Sequence, residues 1–190
     1  MSDLRVVRSQ MLLKNAMKDL LAEKALDAIT VKDIAEEAMV NRSTFYAHFR
    51  DKDDLFHAVV QDELRAQLAE RLDADEAVGP ESLRVLAGVI FTHFETHGRA
   101  CAAPHQPGIT SRLLPVQTTV IDVLMEWASP YGACHANEMG RMIATTVSWA
   151  IVGAAVDWAR LPRASRPTRE QAVNNLVPVL LYGVQGLQEH

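Results

Sequence analysis

One stretch, residues 30–52 (TVKDIAEEAMVNRSTFYAHFRDK), constrains the fold more than any other. Thr30 has the character of a helix N-cap, and Asp33 three residues later completes a capping-box spacing. Ile34, Ala35 and Ala38 then put small and apolar groups on one helical face. The pattern breaks at Met39-Val40. Asn41 is the next cap candidate, and RSTFYAHF supplies two further turns in which Phe45 and Phe49, four apart, share a face. That face can pack on Ile34 and the preceding helix. The opposite face carries Arg42, Ser43, Thr44, Ala47 and His48, with Tyr46 to one side. A short helix held by two phenylalanines and showing donors outward suits the major groove of DNA.

Around this stretch the chain reads as helix after helix. Residues 6–26 form the first, with Leu12, Leu13, Ala16, Leu20 and Leu21 as its buried stripe. Asp51 caps a long helix to about residue 72, with Asp53 and Asp54 in the first turn, where carboxylates suit the helix dipole. This helix can link two domains mechanically. After an acidic loop ending in Gly79-Pro80, residues 81–97 are the next helix and Gly98 is its stop. Pro115 opens another, running to about residue 128. Residues 136–160 form the longest apolar helix. Thr168 caps the last one, to about residue 187, and Pro178 kinks it or ends its first half. No segment reads as a strand. The expected class is all-α. Residues 1–52 are a three-helix helix-turn-helix DNA-binding domain, and residues 53–190 a helical bundle for regulation and dimerisation. The charge-free run at 142–156 is shorter than the ~20 residues of a membrane span, so no membrane partner is expected.

Composition narrows the function. Hydrophobic residues at 48% and charged residues at 23% fit a soluble globular protein. The net charge of −5 is unusual for a DNA binder, so its distribution matters. Residues 1–60 hold 9 Lys and Arg against 10 Asp and Glu, and they include all five lysines. DNA affinity must therefore rest on a few placed contacts and on dimerisation, not on a basic surface. The two cysteines, Cys101 and Cys134, make no disulfide framework. With no N-terminal signal pattern, a cytoplasmic protein is expected. There is no G-x-S-x-G, P-loop, H-E-x-x-H or dinucleotide fingerprint, so neither an enzyme nor a cofactor is expected.

The segment VKDIAEEAMVNRSTFYAHFRDKDDLF resembles the DNA-binding segment of the TetR family of bacterial transcriptional regulators. The resemblance is carried by NRSTFY, then His48-Phe49, then Lys52 ahead of Asp54-Leu55-Phe56, and covers roughly the first third of the chain. It implies that Arg42, Ser43 and Thr44 meet bases, Arg42 being able to form bidentate bonds to guanine. It implies that Tyr46, His48 and Lys52 touch backbone phosphates. Thr30 and Lys32, at the start of the preceding helix, could also reach phosphate. The same resemblance implies a repressor that binds a palindromic double-stranded operator as a homodimer, paired through residues 136–160 and 168–187, and that a small-molecule effector releases. The chain departs from the family at two places. The family usually has Gly where Met39 stands, and often has Gly near Ala25. A left-handed φ at Met39 would store strain, unless the turn itself differs.

All three tryptophans, with Phe91, Phe94 and Tyr131, lie in the second part of the chain. They are mostly core or interface filling, but pockets between bundle helices are common. Phe91, Phe94, His97, Trp127 and Trp149 are the candidate effector-pocket residues. A second cluster has His93, His97, Cys101 and His105 four apart, with Cys134-His135 further on. Two histidines at i and i+4 share a helical face and can bind a metal such as Zn²⁺. Gly98 and Pro104 interrupt the helix, so the four side chains need not converge. A metal- or thiol-responsive regulator using His93, His97 and Cys101 stands as the alternative to an organic effector.

Overall fold

The computed structural model describes residues 4–72, 79–101, 109–128 and 138–183. They form eight α-helices: α1 Leu4–Glu23, α2 Val31–Glu37, α3 Arg42–Tyr46, α4 Lys52–Ala69, α5 Pro80–Cys101, α6 Ile109–Ala128, α7 Glu138–Arg160 and α8 Arg169–Tyr182. A 3-10 turn, Leu26–Ala28, lies between α1 and α2, and no strand is present among the described residues. The fold is all-α, as the sequence pattern requires. Two compact units are formed, Met1–Asp62 and Glu63–His190. The division falls inside α4, ten residues beyond the boundary set from sequence.

The first unit closes on one apolar cluster. Leu13, Ala16, Met17 and Leu20 of α1 meet Leu26, Ile29, Ile34, Phe45, Phe49, Leu55 and Val59. The α1 stripe is thus 13, 16, 17 and 20, a clean i, i+3, i+4, i+7 face. Leu12, placed inward from sequence, is 37% exposed, while Met17 is fully buried in its stead. Phe45 is also fully buried. Truncating such a ring costs about 3–5 kcal/mol, so the packing that seats α3 is strong.

The second unit is built on α5 and α7. Helix α5 packs against α6, α7 and α8, and α7 against α6 and α8. Buried Leu86, Val89, Ile90, Phe91 and Phe94 form the inner face of α5, and Ala144, Ser148, Ile151, Val152 and Ala155 that of α7. Ser148 Oγ, buried, donates to the Gln117 carbonyl at 3.1 Å. The Trp158 indole packs on Phe91 and donates from Nε1 to the Pro167 carbonyl at 2.9 Å. Arg166 lies 4.2 Å above the same indole and pairs with Glu95 at 3.0 Å. Arg65 forms a two-point ion pair with Glu126, at 2.8 and 3.2 Å.

Several helix ends differ from the sequence reading. Helix α5 runs through Gly98 to Cys101, and α6 begins six residues ahead of Pro115, which lies inside it. Pro115 loses one backbone bond, a cost of about 3 kcal/mol. The buried face of Val116, Val120, Ile121 and Val123 outweighs it. Helix α8 likewise continues past Pro178 to Tyr182. A single poor residue does not end a helix when burial of a whole face favours its continuation. At 23 residues, α7 is long and apolar enough to cross a membrane by length and composition alone. Its packing within the second unit is that of a core helix, contacting α5, α6 and α8.

Candidate nucleic-acid interface

Thr30 opens α2 with the capping box expected from sequence: its hydroxyl accepts from the Asp33 amide, and the Asp33 carboxylate accepts from the Thr30 amide. The hydroxyl also donates to Asp33 Oδ2 at 2.9 Å, and Lys24 Nζ lies 3.3 Å from the same carboxylate. These bonds, led by the Thr30 amide and then its hydroxyl, hold the Asp33 carboxyl below its usual range. A lowered folded pKa contributes stability above the unfolded value, about 3.9, and that contribution is lost as pH falls through the lower folded value. Asp33→Asn is therefore expected to be less stable than the wild type from neutral pH down to about pH 5, with the gap closing below about pH 4. Urea unfolding across that range measures it, and a gap unchanged at pH 3 would contradict the assignment.

The turn after α2 keeps a left-handed residue even without glycine. Met39 has φ +52°. Its amide bonds to the Glu36 carbonyl at 3.1 Å, and the Val40 amide to the Ala35 carbonyl at 2.9 Å. This is the Schellman pattern, with Met39 at the position glycine favours and Val40 folded back onto the core. The Met39 side chain is 91% exposed, so nothing it touches offsets the strain. Left-handed backbone costs a side-chain-bearing residue about 1–2 kcal/mol, and glycine regains part of that as unfolded-state entropy. Met39→Gly is expected to stabilise the chain by up to about 1 kcal/mol, and Met39→Ile to destabilise it by about 1–3 kcal/mol. Denaturant melts that ranked isoleucine above glycine would reject this account.

Helix α3 is shorter than expected, with Ala47 and His48 in the turn that ends it. Asn41 stands at its N-cap but makes no side-chain capping bond. Phe45 and Phe49 face the core 6.0 Å apart, which turns Arg42, Ser43, Tyr46 and Ala47 outward. Thr44 and His48 are half-buried. The Tyr46 ring packs edge-on against Phe45 and is 60% exposed.

Most of the unit's cations are already occupied. Lys14 pairs with Asp62 at 2.6 Å, Lys24 with Asp33, Lys32 with Glu36 at 3.7 Å and Arg50 with Asp54 at 3.3 Å. The Arg50 amide and guanidinium hold the Asp54 carboxyl below its usual range. Asp54 also donates its amide to Asp51, which caps α4. The Lys52 ammonium is 2.8–3.2 Å from three backbone carbonyls. Arg42 is exposed and has no ion-pair or hydrogen-bond partner among the described residues. Of the expected base and phosphate contacts, Arg42, Ser43 and Tyr46 are therefore presented outward from α3. Lys32 and the Thr30 hydroxyl are presented from α2 but already bonded. Lys52 is turned inward.

In the second unit, Phe91 and Phe94 are buried on α5 beside His93, whose ring meets Phe94 edge-on. Trp127 is half-buried on α6. Trp149 is 51% exposed on α7, on a face with Met139, Met142 and Ile143. The side chains of His97 and Cys101 lie outside the described residues, as do His105, Cys134 and His135 entirely. A surface cleft of about 590 Å³ is lined by Glu95, Trp158, Arg163, Arg166 and Arg169 among others, and includes none of the five candidate pocket residues.

Residues 12–59 match the family model described as bacterial regulatory proteins, tetR family. A curated relative from Bacillus subtilis (strain 168), the uncharacterized HTH-type transcriptional regulator YxbF, is 42% identical over 60 residues. That match covers 31% of this chain and only 16% of the relative. The fold is similar to that of the TetR family repressor AlkX from Dietzia sp. strain DQ12-45-1b, implicated in biodegradation of n-alkanes, with a TM-score of 0.58 and 19% identity over 95% of each chain. It is also similar to the transcriptional regulator FadR from Bacillus subtilis in complex with stearoyl-CoA, with a TM-score of 0.56 and 14% identity over 92% of this chain and 98% of the other. At these identities the likeness is one of fold.

Proposed function

We propose that this chain, whose residues 12–59 match the tetR family of bacterial regulatory proteins, is a cytoplasmic repressor that binds a palindromic operator as a homodimer. In this reading it is a transcription factor, not an enzyme. The observation that carries the reading is Arg42: an exposed guanidinium at the start of α3, without a partner among the described residues where neighbouring cations are paired. A free guanidinium can make two parallel bonds to guanine N7 and O6 in the major groove. Ser43 and Tyr46 flank it, as base and phosphate contacts respectively.

Dimerisation is supported by α7 and α8. Met139, Met142, Ile143 and Trp149 leave an exposed apolar stripe on α7, and Leu181 and Tyr182 extend exposed apolar surface onto α8. Gly153 lies exposed on α7, and a Cβ there would meet nothing within 4 Å among the described residues. Small and apolar groups on an uncovered helix face suit another helix. A two-fold pair places two copies of α3 on half-sites about one helical turn apart, roughly 34 Å.

Release by a small-molecule effector completes the reading. An apolar ligand among α5, α6 and α7, near Phe91, Phe94 and Trp127, would have to favour the conformation that does not bind DNA, since equal affinity shifts nothing. The test begins with selection from a random duplex library. An enriched inverted repeat, bound by a protein that sediments as a dimer at micromolar concentration, is the expected outcome. Recovery of no common sequence by a monomeric protein would refute the proposal. Release of that repeat by members of a hydrophobic small-molecule panel tests the effector step. Release by Zn²⁺ or Ni²⁺ instead would favour the metal-responsive alternative.

A further inference from the structure

Lys52 is the first residue of α4, yet its ammonium does not point to solvent. Nζ donates to the carbonyls of Leu26 at 2.9 Å, Asp27 at 3.2 Å and Ile29 at 2.8 Å. An ammonium has three donors, and here each has an acceptor. The acceptors are the carbonyls of the 3-10 turn and of the residue that ends it. Ile29 is fully buried and Leu26 nearly so, which shields two of the three carbonyls from water, while Asp27 is exposed. A cation in the first turn of a helix also opposes the helix dipole, so its place there needs a local reason. The three carbonyls supply one.

We propose that Lys52 is a positioning residue that ties the start of α4 to the chain entering α2, and is not a phosphate contact. Ile29 directly precedes Thr30, the N-cap of α2. Helices α2 and α3 lie between the two tied points, Ile29 and Lys52. The ammonium thus clamps the entry and the exit of the helix-turn-helix together, and sets the frame from which Arg42 projects. Only the DNA arm of the test below rests on the operator-binding reading.

Amine labelling of the wild-type full chain, read residue by residue by mass spectrometry, tests this without a variant. Lys52 is expected to label at least about ten-fold more slowly than exposed Lys18, the weight of one charge-assisted hydrogen bond, and to label equally with and without a random-sequence 30-base-pair duplex. Labelling as fast as at Lys18, or protection gained only with duplex, would overturn the proposal. Lys52→Met adds a second measurement. Amide exchange at Ile29 and Ile34 should rise by about ten-fold or more, while the slope of log affinity against log salt on the same duplex stays unchanged. A slope reduced by about 0.9 per protomer, with exchange unaltered, is the phosphate-contact result and would overturn the proposal. If the wild type binds no duplex, the repressor reading fails, and labelling and exchange without DNA still decide the role of Lys52.

Discussion

If the proposed dimer pairs through α7 and α8, Trp149→Glu combined with Gly153→Arg is expected to give a folded monomer that no longer holds the proposed operator. Both positions lie on the exposed side of α7, four residues apart and so on one helical face. Neither change strikes the protomer's own core. Trp149 is half-exposed, and the space beyond the Gly153 Cα is open. Replacing a mid-helix glycine by arginine also favours the helix by up to about 1 kcal/mol. In a dimer paired through α7 and α8, however, the two substitutions place four charges in an apolar seam, with desolvation costs of several kcal/mol each. Losing the second half-site removes the avidity of a linked pair, roughly 10²–10⁴-fold in operator affinity. Sedimentation velocity, circular dichroism and operator titration together read the result. A variant that stayed dimeric would place the interface elsewhere. One that lost helicity would show that this face is internal packing.

Arg42→Ala is expected to erase discrimination at one base pair of each half-site while sparing general affinity. A bidentate arginine–guanine contact is worth about 1–3 kcal/mol of discrimination, and a symmetric dimer makes it twice. Binding to random duplex loses only one charge per protomer and should weaken far less. The contrast is sharp here because Arg42 has no partner among the described residues, so its removal breaks no internal bond. Replacing Lys14 or Arg50 would not be so clean, since each is paired within the unit. Titrating operator, single-base variants and random duplex against both proteins gives the answer. Equal loss on all three would reduce Arg42 to a non-specific contact.

What the sequence determined by itself was whatever depends on near neighbours along the chain. Thr30 and Asp33 are three apart, and a capping box needs nothing further. Phe45 and Phe49, four apart, both reach the core as their spacing predicts, although Phe49 lies beyond the end of α3. The all-helical class and the helix-turn-helix followed from the same local periodicities. Features that depend on the third dimension were not legible. Leu12 and Met17 compete for the core of α1, and the orientation of the whole helix decides between them. Gly98 reads as a stop, Pro115 as a start and Pro178 as a kink or a stop, yet each lies within a helix. The apolar burial of a packed face exceeds the local cost of one poor residue. The outward turn of Trp149 depended on which side of α7 the other helices cover. Lys52 shows the limit most plainly. Its head reaches carbonyls up to 26 residues earlier in the chain. A long flexible side chain is free to choose among partners that only folding brings within 3 Å of it.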